Sequence, residues 1–371
     1  MSARMIVSYR VRGDARAIEG RARDIAVEQS VEMPISAIHE ASILADIVGQ
    51  VEKIQDRGGG WFDVDIALAA STIGADAGQL INMLFGNTSL HDDVVLCDVS
   101  LPADLLATFG GPGQGLAGLR RRAGAQDRAL TCSALKPQGL PADALAELAF
   151  ELALGGLDFI KDDHGLADQS YSPFEARLRA CANAVRRAAA ITGRRTRYAP
   201  SLCGHFGEMQ RQIGLARDEG IDMVLIAPMI AGVSTLQGLA QANPDFAFMT
   251  HPTMSGAARI SPALLARLFR LFGADAAIFP NHGGRFGSSK ETCGDIAAGL
   301  RGPWGDMRAS VPAPAGGMTP QRVPEMLRFY GKDVMLLIGG ALLSAPRDEL
   351  AAETARFVRA AAEHDYGETD A

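Results

Sequence analysis

The chain has 371 residues, 47% of them hydrophobic and 21% charged, which is room for about two domains of ordinary globular composition. A net charge of −7 argues against a general nucleic-acid binder, whose surface would be basic, but leaves room for a local pocket that takes an anionic substrate. No apolar run has the length of a signal-peptide core or a bilayer span, so no membrane association is expected. The five cysteines, Cys97, Cys132, Cys181, Cys203 and Cys293, are scattered without a Cys-x-x-Cys pair, which points to reduced thiols in a cytoplasm.

In chain order, residues 5–11 alternate as a strand, and 14–28 carry helical spacing with Asp14 placed to cap the start. A strand is expected over 61–68 and a helix over 76–85. Then comes the glycine-rich run Phe109-Gly110-Gly111-Pro112-Gly113-Gln114-Gly115, followed by Arg120-Arg121-Arg122. Composition and rhythm change there, so it reads as the junction between an α+β unit, 1–115, and a second domain, 116–371. Beyond it, short apolar strands alternate with longer amphipathic helices. The strands are expected at 130–135, 157–161, 197–201, 223–227, 246–250, 276–279, 310–313 and 334–338. Helices are expected at 142–154, 174–192, 208–219, 262–272, 320–330 and 347–362, among others. Runs such as 223–227 are apolar on both faces, as parallel strands covered by helices should be. Eight such units predict a (β/α)₈ barrel in preference to a doubly wound sheet.

In such a barrel the chemistry sits where strands end. Lys136 ends the first strand, Lys161-Asp162-Asp163-His164 the second, and His251 the fifth. Asn281-His282-Gly283-Gly284-Arg285 forms the sixth loop, and Gly316-Gly317 and Gly339-Gly340 follow the seventh and eighth strands. Alternation puts Lys161 and Asp163 on one face, with His164 able to turn in. A lysine that captures CO₂ as a carbamate becomes an oxygen anion, able to complete a hard-cation site with Asp163; the plainer alternative is a salt-bridged strand end. A histidine ligand suits Mn²⁺ better than Mg²⁺. The two glycine pairs stand where barrels bind phosphate through backbone N–H groups.

These residues carry a resemblance. Gly155-Gly156-Leu157-Asp158-Phe159-Ile160-Lys161-Asp162-Asp163 is similar to the signature of the ribulose bisphosphate carboxylase large chain, and the whole chain resembles its Rubisco-like (form IV) branch. Leu135-Lys136-Pro137, Phe85-Gly86-Asn87, Ala315-Gly316-Gly317 and Ile338-Gly339-Gly340 support it. The resemblance implies a carbamylated Lys161, a divalent metal (Mg²⁺, or Mn²⁺) held with Asp163 and His164, an acid/base Lys136, and a phosphate on Gly317, Gly339 and Gly340. It also implies a homodimer with shared active sites, since Glu28 and Asn87 match positions that reach the partner's barrel mouth.

The departures are informative. His164 replaces a glutamate, Gln138 a second lysine, and Pro252 after His251 an arginine that would clamp a second phosphate. Ile278-Phe279 stands where a histidine is expected, Ala315 replaces a serine, and Arg285 stands near the place of a CO₂-orienting lysine. Bisphosphate carboxylation is therefore not expected. What remains suits metal-assisted enolisation of a monophosphorylated ketose, in which the metal polarises a carbonyl and a lysine moves the proton. The leading expectation is an isomerase or tautomerase of the 5-methylthioribulose 1-phosphate type. The alternatives are a decarboxylase or carbon–carbon hydrolase of a 3-oxo sugar-acid phosphate such as 3-oxo-isoapionate 4-phosphate, with Arg285 or His282 holding the carboxylate, and a non-catalytic regulatory barrel.

Overall fold

The computed structural model describes residues 3–366, so the outer ends of the expected 1–115 and 116–371 units lie outside the described residues. The first unit is an antiparallel sheet of β1 (Arg4–Arg12), β2 (Gln50–Gly58), β3 (Trp61–Ala69) and β4 (Val94–Ser100), in the order β2-β3-β1-β4. Strict alternation makes β1 central: Met5, Val7, Tyr9 and Val11 are fully buried on one face, each worth roughly 1.5–3 kcal/mol for the apolar ones. Helices Ile18–Glu28 and Ala77–Phe85 cover that face. Asp76 caps the second of them through Gln79 N–H. Asp14 does not cap the first: its carboxylate takes the Arg16 N–H, and the helix starts only at Ile18 behind Ala17.

The second unit holds eight parallel strands: β5 (Leu130–Leu135), β6 (Phe159–Asp162), β7 (Arg197–Ala199), β8 (Met223–Ile226), β9 (Ala247–Thr250), β10 (Ala276–Pro280), β11 (Val311–Ala315) and β12 (Met335–Leu337). Backbone pairing joins β12-β5-β6-β7 and β8-β9-β10-β11. A bridge between Ser201 and Leu225 links β7 to β8, and β11 lies beside β12, which closes the barrel. Helices at Val233–Ala242 and Lys290–Arg301 complete the outer layer beside those expected from the sequence.

One side chain in two from each strand fills the interior. Leu130, Cys132, Phe159, Met223, Leu225, Met249, Ile278, Val311, Met335 and Leu337 form a cluster separate from the main core. The inward parity is even on β5 and β10 and odd on β6, β8, β9, β11 and β12, and it decides which strand-end residues face the mouth.

The glycine-rich run leads directly into helix Gly115–Ala123, which seals the opposite end of the barrel. Leu119 and Ala125 join the interior cluster. Asp275, at the foot of β10, accepts the N–H groups of Gln114 (2.7 Å) and Gly115 (2.6 Å), pinning the junction. Arg120 is buried and donates at 2.8 Å to the carbonyls of Ala125, Gln126, Arg128 and Lys332, and at 2.6 Å to Asp333. Arg120 of the basic run is therefore structural glue beneath the barrel.

Candidate active site

β5, β6 and β9 send their last inward residues to one place. Lys136 follows the parity of Leu130 and Cys132, Lys161 and Asp163 that of Phe159, and His251 that of Ala247 and Met249. The Lys136 ammonium lies 2.7 Å from Asp163 Oδ1, and His164 Nδ1 lies 3.3 Å from the same oxygen. The His164 ring stacks on His251, with centroids 4.1 Å apart and planes within 8°. Lys161 is 3% exposed and donates to the Asp162 carbonyl at 3.0 Å.

Charge and burial compete here. Burial drives the Lys161 amine below the usual lysine range, against the pull of Asp163. Burial alone would raise Asp163, but hydrogen bonds from His164 and Lys136 and the Lys161 charge hold it well below the ordinary carboxylate range. His251 is pushed down to about 2, by burial first and then by the Lys161 and His164 charges, so its ring is neutral at physiological pH. Its Nδ1 accepts the Thr253 N–H at 3.2 Å, which assigns the ring proton to Nε2.

The neighbouring acids of the motif are committed elsewhere. Asp162, of outward parity, is fully buried under Arg177 (3.0 Å), the Tyr198 hydroxyl (2.6 Å) and the Ser201 N–H (3.1 Å). Asp158 ties Arg128 and Thr131 at the foot of β5. Among the described residues, no three His, Cys, Asp or Glu side chains gather as a metal-binding group. Asp163 and His164 supply one oxygen and one nitrogen. A carbamate on Lys161 would add a third donor and a second anionic one, and in that form the donor set fits a divalent cation.

Of the expected glycine sites, the Gly339 turn adjoins this group beside Lys136. Gly316 and Gly317 both adopt left-handed φ, at 79° and 78°. Gly339 precedes the short helix Gly340–Leu343; a Cβ on it would stand 3.8 Å from Lys136 Cε, whereas Gly340 faces open space. Gln138 is exposed and packs so tightly over Gly165 that a Cβ there would meet its amide at 1.8 Å. Arg285 lies over the exposed Phe286 ring, 4.8 Å from its centroid.

Two expected groups lie apart. Asn281 falls off the inward parity of β10: it accepts from the Tyr330 hydroxyl at 2.7 Å, and its amide faces the sulfurs of Met318 (3.0 Å) and Met326 (2.8 Å). It is 1% exposed, so the structure gives this residue a core role in place of substrate contact. His282 beside it is buried edge-on against Phe329, with centroids 4.8 Å apart, and its Nε2 has no hydrogen-bond partner. Glu28 and Asn87 meet each other in the N-terminal unit, at 2.8 Å, and Asn87 also donates to Glu32 at 2.7 Å. Sequence reasoning missed Glu32 and Thr253. Their only signals are proximity: four residues after Glu28, and two after His251.

The profile of the ribulose bisphosphate carboxylase large chain catalytic domain matches residues 115–368. The chain is 58% identical over 364 residues, 98% of its length and 97% of the relative's, to 5-methylthioribulose-1-phosphate isomerase of Rhodospirillum rubrum. It is 34% identical, over 76% of its length and 71% of the relative's, to 2,3-diketo-5-methylthiopentyl-1-phosphate enolase of Geobacillus thermodenitrificans. The crystal structure of a Rubisco-like protein from Rhodopseudomonas palustris superposes with a TM-score of 0.92 at 50% identity, each chain covered in full.

Proposed function

The chain belongs to the ribulose bisphosphate carboxylase large-chain family, as a Rubisco-like protein, and on that premise we propose that it isomerises 5-methylthioribulose 1-phosphate by enolisation. The observation that carries this reading is the convergence of Lys136, Lys161, Asp163, His164 and His251 at one barrel mouth, in a chain so similar to an isomerase of that substrate.

Each group has a place in the chemistry. The glycine pairs Gly316-Gly317 and Gly339-Gly340 offer backbone N–H groups to one phosphate, while Pro252 offers nothing to a second. Lys161 as a carbamate, with Asp163 and His164, would hold Mg²⁺ or Mn²⁺. When bound, that cation supplies polarisation of the substrate carbonyl. Lys136, whose stem passes Gly339 and whose amine reaches Asp163, lies between the phosphate end and the metal end. As the free amine, its extra proton given to solvent, it takes the proton from the hydroxyl-bearing carbon next to the carbonyl; the C–H pair becomes the C=C bond and the C=O π pair moves onto oxygen. The lysine then gives the proton to the former carbonyl carbon, while the neighbouring hydroxyl passes its proton to the enolate oxygen and becomes the new carbonyl. Neutral His251, with its proton on Nε2, donates a hydrogen bond to a substrate oxygen. Gln138 and Arg285 line the rim. Glu28 and Asn87 complete the mouth of a partner in a homodimer.

A decarboxylase reading loses one of its two carboxylate holders, because His282 is sealed under Phe329. The test is direct. Protein loaded with bicarbonate and Mg²⁺ should convert 5-methylthioribulose 1-phosphate to an isomer by ³¹P and ¹H NMR, and leave 3-oxo-isoapionate 4-phosphate intact. CO₂ release from the second compound without change in the first overturns the reading.

A further inference from the structure

The loop after β10 and the turn after β11 are built as interlocking backbones. A Cβ on Gly284 would stand 2.1 Å from the Gly316 carbonyl oxygen, and one on Gly317 would stand 2.7 Å from Gly284 Cα. The Asn281 N–H donates to the Ala315 carbonyl at 2.8 Å, and the Phe286 ring lies against Gly316. Contacts this close leave no room for either segment to shift alone.

One side chain straps them together from outside. Arg322, at the entry to helix Val323–Tyr330, donates to the His282 carbonyl at 3.2 Å. Its other terminal nitrogen reaches the Gly283 carbonyl at 3.5 Å and the Gly317 carbonyl at 3.4 Å. Glu325, one turn on, holds the guanidinium at 3.1 and 3.2 Å and fixes its plane. A planar fork with several donors can bridge carbonyls on two loops at once, which one ammonium cannot do with comparable geometry. The pair is only partly buried, so its worth lies in placement rather than in bulk stability.

We propose that Arg322 is a positioning residue that fastens the tip carrying Arg285 and Phe286 to the Gly316-Gly317 turn, so that both loops hold one shared conformation when substrate binds. Its consequence for turnover rests on the isomerase reading, which assigns the phosphate to that turn. The loop coupling itself does not depend on any substrate.

Both arms can be measured. In Arg322→Ala, amide hydrogen exchange in 282–286 and 316–318 should quicken together by about tenfold or more, while strands β5–β9 keep their rates. KM for 5-methylthioribulose 1-phosphate should rise by about tenfold with kcat changed far less, and added guanidinium should bring KM back down. Gly284→Ala, with Arg322 intact, should reproduce the joint quickening by wedging the two backbones apart. The coupling is overturned if exchange rises in one segment alone, in neither, or uniformly across the barrel. It is also overturned if KM stays put in a variant that turns over. Should the wild-type protein leave that substrate unchanged, the isomerase reading fails, and exchange alone decides the strap.

Discussion

Asn281 is held in the core by its own side-chain amide and the Tyr330 hydroxyl. It follows β10 in the loop where a barrel places substrate-binding groups, yet the odd number that would face the mouth on β6 or β9 faces the helices on β10. Its amide serves Tyr330 and two methionine sulfurs. Asn281→Ala should therefore leave the Tyr330 hydroxyl without its acceptor, at a cost of about 1–3 kcal/mol in urea unfolding, with KM unmoved. A raised KM at unchanged stability would return Asn281 to the substrate. The other site residues were legible from sequence because they obey the parity: Lys136, Lys161, Asp163 and His251 all continue the inward series of their strands. His164 does not. It turns in only because the chain has left β6, and the stacking on His251 that holds it joins residues far apart in sequence.

Elements were readable where burial imprinted a pattern. Most barrel strands carry apolar residues on both faces, and the eight stand out even where Thr131, Ser133, Lys161, Asp162 or Arg197 interrupts the run. β2 does not, since its residues are mostly exposed and polar and its pairing with β3 comes from the tight turn at Gly58, Gly59 and Gly60. The run after Phe109 was legible as a break, but nothing in its spacing announces that the next helix plugs the barrel. That role comes from four carbonyls, three in the turn that follows the helix and one at Lys332 just before β12. Arg120 satisfies all four, so Arg120→Ala should destabilise the protein by several kcal/mol, about 3, as a lower midpoint at an unchanged slope in urea. The same variant at wild-type stability would mean that Leu119 and Ala125 close the barrel unaided.

The whole molecule adds what one chain cannot hold. Glu28 and Asn87 sit in the N-terminal unit, where Asn87 donates to both Glu28 and Glu32, and the proposed dimer brings them to a second barrel. In a two-fold dimer with shared sites, co-expressing Glu28→Gln with Lys161→Ala should rebuild one intact site per mixed dimer, recovering about a quarter of wild-type activity from two inactive parents. No recovery would place each site within a single chain. Among the described residues no helix is long and apolar enough to cross a membrane.

On the isomerase reading, the second barrel strand builds an enolising centre on Lys161. In D₂O, with bicarbonate and Mg²⁺, the wild-type protein should wash deuterium from solvent into 5-methylthioribulose 1-phosphate at the carbon beside the carbonyl, and Lys161→Ala should not. Equal exchange by both proteins would contradict the account.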